Sequence, residues 1–208
     1  STKAFISQLT VFALLTLLIG RERGMSLEMG QEIATALEKL PQVLKRVLEQ
    51  AQTIKAVAEQ YTDYRNAMFI GRNAHMPIAY EGSLKLKEVA YVHAEAYAGG
   101  ELKHGPIAML DEQFPVIALA PQDDVYDKMV SNIEEVKARQ APVLALVTEG
   151  DQNVTAIADD VITIPQVHPV VQPIASTVPL HLFAYYIGIA KGYNVDRPRN
   201  LAKSVTVE

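Results

Sequence analysis

The chain has 208 residues, enough for one large domain or for one domain with appendages. Its formal charge is −5, with 49% hydrophobic and 21% charged residues, an ordinary globular balance. No basic run exceeds Arg21–Glu22–Arg23, which argues against a nucleic-acid-binding patch, and the absence of cysteine excludes disulfides, thiolate metal sites and cysteine nucleophiles.

The chain opens with a helical pattern over residues 3–20. Its apolar run, 11–19, is about half a bilayer span, so a buried helix is expected and no membrane segment. Ser1 stands where a start methionine would, and the chain opens inside a helical pattern, as in a fragment. Further helical patterns follow at 26–38, 41–48 and 50–61, with Pro41 placed to open the second of them.

After Tyr64 the pattern changes. Short Val/Ile/Leu-rich runs at 67–71, 115–120, 142–147 and 161–164 lack polar alternation, as strands covered on both faces do. A weaker strand is predicted at 93–98. Helical patterns at 76–92, 122–138 and 152–158 alternate with these strands, and a last apolar helix covers 172–191. Repeated strand–helix units predict an α/β fold, a three-layer α/β/α sandwich on a parallel sheet. The polar stretch 194–208 reads as a tail.

Two segments carry residues suited to chemistry. Glu81, Lys85 and Glu88 share one face of the helix predicted at 76–92. They form either a solvated ion-pair ladder or a partly desolvated group. Lys85 projects between Ile78 and Val89, which favours the second, where burial and a neighbouring ammonium act oppositely on a carboxylate. Gly99–Gly100–Glu101–Leu102–Lys103–His104–Gly105–Pro106 predicts a short helix presenting His104 at a strand edge, as a proton shuttle or as an ordinary surface histidine. The other histidines show no metal-ligand spacing with it, and no phosphate-binding glycine fingerprint is present, so neither metal nor cofactor is expected.

Several segments together resemble the isomerase half of the glucosamine-6-phosphate synthase family over essentially the whole chain. They are Ser1–Thr2–Lys3–Ala4–Phe5, Glu81–Gly82–Ser83–Leu84–Lys85–Leu86–Lys87–Glu88, Ala94–Glu95–Ala96–Tyr97, Gly100 to Pro106, and the ending Asp196–Arg197–Pro198–Arg199–Asn200–Leu201–Ala202–Lys203–Ser204–Val205–Thr206–Val207–Glu208. The resemblance implies a sugar-isomerase (SIS) lobe with a five-stranded parallel sheet. Residues 1–47 would be the helical end of a first lobe with connecting helices, 48–193 the second lobe, and 194–208 an active-site tail.

For the residues it implies Lys203 as the Schiff-base lysine, Glu88 as the base moving a proton between C1 and C2, and His104 as the ring-opening residue, working in the neighbouring subunit's site. Lys85 and Glu81 would support the proton transfers, and Ala202 and Ser1 would line the sugar. The implied substrate class is sugar phosphate (fructose 6-phosphate, glucosamine 6-phosphate, glucose 6-phosphate), in a cytoplasmic homodimer that converts fructose 6-phosphate to glucosamine 6-phosphate. The family's glutaminase domain and its serine- and threonine-rich phosphate loop have no counterpart in this sequence. Inactivity of the isolated chain is therefore expected, and a non-catalytic phosphosugar-binding module or a dimerisation fragment stays open as an alternative.

Overall fold

A computed structural model describes residues 2–201; Ser1, Ala202 and Lys203 lie outside the described residues. Three helices come first: α1 (Thr2–Glu22), α2 (Leu27–Glu49) and α3 (Ala51–Gln60). The sheet then alternates with helices: β1 (Asn66–Gly71), α4 (His75–Ala90), β2 (His93–Ala98), β3 (Val116–Ala120), α5 (Tyr126–Lys137), β4 (Val143–Thr148), β5 (Asp160–Ile164) and α6 (Gln172–Ala190). Two 3-10 helices, Gly99–His104 and Pro106–Met109, fill the connection from β2 to β3.

All five strands are parallel, in the order β2-β1-β3-β4-β5, which matches the expected five-stranded α/β/α architecture. Successive side chains of a strand point to opposite faces. Phe69, Ile117, Leu119, Leu144 and Leu146 therefore pack towards α3, α4 and α6, while Met68, Ile70, Val116, Ala118, Val143 and Ala145 meet α5. Burial on both faces is why β1, β3 and β4 read as unbroken apolar runs. The chain leaves β1 towards β2 on one side and returns to β3 on the other, so the order reverses at β1, where open α/β sheets place their ligand crevices.

The structure corrects three local expectations. Residues 26–38 and 41–48 form one helix, α2, with Pro41 inside it. Pro41 removes one backbone hydrogen bond, but Ile33, Leu40 and Val47 recur every seventh residue as one buried stripe, and that packing keeps the helix continuous. Ser26 caps its start, accepting from the Met29 amide at 3.1 Å.

Residues 152–158 form turns instead of a helix. The segment is too short to nucleate a helix alone, and Asp151 Oδ1 ties it down by accepting from the amides of Val154 (2.9 Å) and Thr155 (3.2 Å).

The third correction concerns α1. Its Phe5 and Leu9 pack on the core and Ala13 is buried, but Val11, Phe12, Leu14, Leu15, Leu18 and Ile19 are exposed. Among the described residues α1 packs mainly against α2 and α6, along one flank. By length and composition α1 and α6 could each cross a bilayer. In α6 that character reflects burial: Ile174, Leu180, Phe183 and Ile187 are buried, and α6 packs against four neighbouring helices.

Two phenols, the buried Tyr61 and the half-buried Tyr126, fasten loops to this frame. Tyr61 donates to Asp160 Oδ2 at 3.0 Å, and burial together with that carboxylate pushes its pKa far above the usual tyrosine value. Tyr126 donates to Asp151 Oδ2, and burial and that carboxylate push its pKa up to about 12. Both folded pKa values exceed the unfolded one near 10, so the stability they contribute is complete below about pH 10 and lost as pH rises above it. In a spectrophotometric titration, two of the nine tyrosines should therefore ionise only with alkaline unfolding. Tyr61→Phe should remove one late-titrating phenol, and nine phenols ionising together near pH 10 in the folded chain would contradict this reading.

Candidate active site

Helix α4 carries the central group. Its apolar face, Ile78, Ala79, Gly82, Leu86 and Ala90, packs against β1 and α6. Gly82 permits the close approach: a Cβ there would stand 2.8 Å from the Phe69 ring and 3.0 Å from Leu180. Glu81 and Lys85 lie at the margin of this face and are carried into the seam with it, leaving Glu81 6% and Lys85 3% exposed.

The seam holds a connected polar row. His181 Nε2, from α6, lies 2.8 Å from Glu81 Oε1; a carboxylate only accepts, so Nε2 donates. Glu81 Oε1 is 3.8 Å from Lys85 Nζ, and Lys85 donates to Glu88 Oε2. Glu88 is the more open end, with its side chain 28% exposed. The row is thus buried at His181 and Glu81 and reaches solvent at Glu88.

Glu88, Lys85 and His181 line one cavity of about 780 Å³, with Val89, Ala184, Tyr185, Asp196 and Pro198. Thr2 lies at one side of it and Leu201 at another. A volume of that size accommodates a small polar metabolite. Chemically, the row supplies a carboxylate held beside an ammonium at the cavity wall, an arrangement able to take up and return a proton.

The sequence grouping of Glu81, Lys85 and Glu88 is therefore brought together in space, on the buried margin where Lys85 was expected. His104 is not among the residues lining that cavity. It ends the 3-10 helix Gly99–His104 with its side chain 71% exposed and its Nδ1 2.9 Å from Glu101 Oε2. Gly105, at φ 141°, turns the chain immediately after it.

Three features of the sites have little or no sequence signal. His181 stands alone in an apolar helix, and its partner Glu81 is 100 residues away. Tyr91 closes α4 in a left-handed conformation, φ 54°, and receives the Arg199 amide on its hydroxyl at 2.8 Å. A third constellation lies where β1 meets α4: His75 Nε2 is 3.0 Å from Ser176 Oγ, and Nδ1 is 3.7 Å from Asp123 Oδ2, too far for a hydrogen bond. Burial alone would raise the Asp123 carboxyl, but the His75 ring and the Val125 amide outweigh it and hold it below the usual carboxylate range. Ser176 is fully buried, so this acid–His–Ser set offers no nucleophile to solvent and serves to tie α6 to α4.

The chain is similar in sequence and fold to known proteins. Over its whole length the chain is 50% identical to a glutamine–fructose-6-phosphate aminotransferase (isomerizing) of Thermus thermophilus, of which it covers 35%. It is 46% identical to the Escherichia coli K12 protein of the same name and covers 34% of that one. The chain thus spans about a third of the length of these curated relatives.

Among solved structures, the C-terminal domain of glucosamine-fructose-6-phosphate aminotransferase from Francisella tularensis superposes with a TM-score of 0.85 at 37% identity, covering 95% of this chain and 56% of that one. A putative tagatose-6-phosphate ketose/aldose isomerase from Clostridium novyi shares the fold, with a TM-score of 0.71 at 16% identity, over 85% of this chain and 46% of that one. Residues 60–190, which run from the end of α3 through α6, match the SIS domain, and by that match the chain belongs to the SIS domain family.

Proposed function

We propose that the chain is the sugar-isomerising part of a glutamine–fructose-6-phosphate aminotransferase, acting on fructose 6-phosphate. The observation that carries this reading is the cavity where Glu88 and Lys85 meet Leu201, two residues before Lys203. An extended chain advances about 3.5 Å per residue, so the Lys203 amine is within reach of a sugar seated beside Glu88.

The chemistry follows from that placement. The Lys203 amine adds to the C2 carbonyl of the open-chain ketose, and loss of water leaves an imine, which draws electron density from C1. Ammonia adds at the imine carbon and displaces the lysine, so nitrogen is exchanged without any change of oxidation state. Glu88 takes a proton from C1 and returns it at C2, while the C1 hydroxyl gives up its proton and the imine nitrogen gains one, which moves the double bond to C1–O and delivers the aldose carrying its amine on C2. Lys85 steadies the Glu88 carboxylate between these transfers, and Glu81, itself held by His181, holds the other side of Lys85. Ser1 and Ala202 would line the sugar.

His104, exposed and outside its own chain's cavity, is suited to reach a second copy, where it would assist ring opening across a homodimer interface. Among the described lining residues only Thr2 and Tyr185 carry hydroxyls, which favours capture of the phosphate by residues beyond this chain. It also keeps a second reading in play, in which the lone chain is a sugar-phosphate-binding module without turnover. A reaction of this class suits a soluble cytoplasmic enzyme of amino-sugar formation.

In a full-length protein carrying this chain, Lys203→Arg should abolish formation of glucosamine 6-phosphate and leave the melting temperature unchanged. The guanidinium stays protonated and cannot form the imine. Turnover by the arginine variant at the parent rate would overturn the Schiff-base assignment.

A further inference from the structure

The end of α4 holds a second feature, four residues ahead of Lys203 in the tail. Tyr91, three residues beyond Glu88, accepts a hydrogen bond from the Arg199 amide at 2.8 Å. The Arg199 guanidinium carbon sits 4.1 Å from the centroid of the same ring, and the Tyr193 ring packs 4.7 Å from it by centroid. One side chain thus takes hold of the tail through its main chain and its side chain together. Upstream, Asn194 Oδ1 accepts from the amides of Asp196 (3.1 Å) and Arg197 (3.2 Å), a turn held within the tail itself.

We infer that Tyr91 is a positioning residue: it anchors Arg199 to the end of α4 and so sets the distance between Lys203 and Glu88. This rests on the reading of Lys203 and Glu88 given above. The same helix carries the base and the anchor, so the two reacting groups share one rigid support. Between Arg199 and Lys203 the chain can extend only about 14 Å. Without the anchor, the last described tie is the turn at Arg197, the tether grows from four residues to six, and its direction is no longer fixed. Tyr91 touches none of the reacting atoms in this account.

The test separates the anchor from the chemistry. Trypsin can cut after Arg199, whereas Pro198 protects the bond after Arg197. A cation–π contact and a hydrogen bond together change an anchored population about 10-fold. In the 208-residue chain, Tyr91→Leu should therefore raise the rate of cleavage after Arg199 about 10-fold, and Tyr91→Phe, which keeps the ring, should raise it less. In a full-length protein, Tyr91→Leu should lower kcat with little change in KM for fructose 6-phosphate, because Lys203 acts after the sugar is seated. Arg199→Leu, which leaves α4 and the main-chain hydrogen bond to Tyr91 in place, should cause a smaller loss, and the double variant no more loss than Tyr91→Leu alone.

Unchanged cleavage in Tyr91→Leu would overturn the anchor, and faster cleavage with unchanged kcat would overturn its positioning role. So would additive losses in the double variant. Absence of any fructose 6-phosphate turnover in the unmutated full-length protein would instead defeat the functional reading, and the positioning role with it, while the cleavage rates would still decide the anchor.

Discussion

Glu88→Gln should reduce turnover of fructose 6-phosphate by about 10²- to 10⁴-fold in a full-length protein, the range lost when a positioned general base is removed. The substitution keeps the size of the side chain and an oxygen able to accept from Lys85, so the fold is spared. The Glu88 side chain is 28% exposed, and an amide at such a position is accommodated by water. Imine formation at Lys203 should survive, because attack on C2 does not use Glu88, so borohydride should still trap the sugar on Lys203 in the variant when ammonia is withheld. A variant that kept parental turnover would remove Glu88 from the proton transfer. One that lost imine formation as well would assign Glu88 a binding role.

Lys85→Met should instead be a stability variant. Methionine fills the channel occupied by the lysine stem but removes the cation between Glu81 and Glu88. Glu81 is 6% exposed, and removing one partner of a buried ion pair costs about 3–5 kcal/mol because the other charge is left uncompensated. Glu81 retains His181 and Glu88 can turn to solvent, so the lower end of that range applies, about 3 kcal/mol. For a domain of this size that corresponds to a fall in melting temperature of about 6–12 °C. Thermal unfolding of the chain measures it directly. A shift below about 2 °C would mean that Lys85 is not integrated into the seam as its burial indicates.

The contrast between these variants reflects which parts of the site are local. Glu81, Lys85 and Glu88 were legible because a helix sets their phase, and Lys85 falling between Ile78 and Val89 was enough to place it at the buried margin. The sheet was legible for a similar reason: strands buried on both faces cannot carry polar residues, so β1, β3 and β4 stand out as short apolar runs.

What escaped depends on contacts between distant segments. Nothing near His181 announces a partner 100 residues earlier, and nothing near Tyr91 announces an arginine 108 residues later. Pro41 was misleading because local rules favour a break there, while the stripe Ile33–Leu40–Val47 holds α2 intact through packing on the rest of the fold. At 152–158 the sequence pattern predicts a helix, but the segment has too few residues to sustain one. In α1 the apolar pattern predicts burial, but among the described residues its packing is mainly with α2 and α6, and much of its apolar surface stays exposed.

If this cavity receives a ketose phosphate and Lys203 joins it as an imine, the adduct is within reach of intact-protein mass spectrometry of the chain after incubation with fructose 6-phosphate and borohydride, in the presence and absence of the remaining part of a full-length synthase. A mass increase of one reduced sugar phosphate is expected, mapped to Lys203 and absent in Lys203→Arg, in the sample that includes the remaining part. An adduct on another lysine, or none in either sample, would rule out the Lys203 imine.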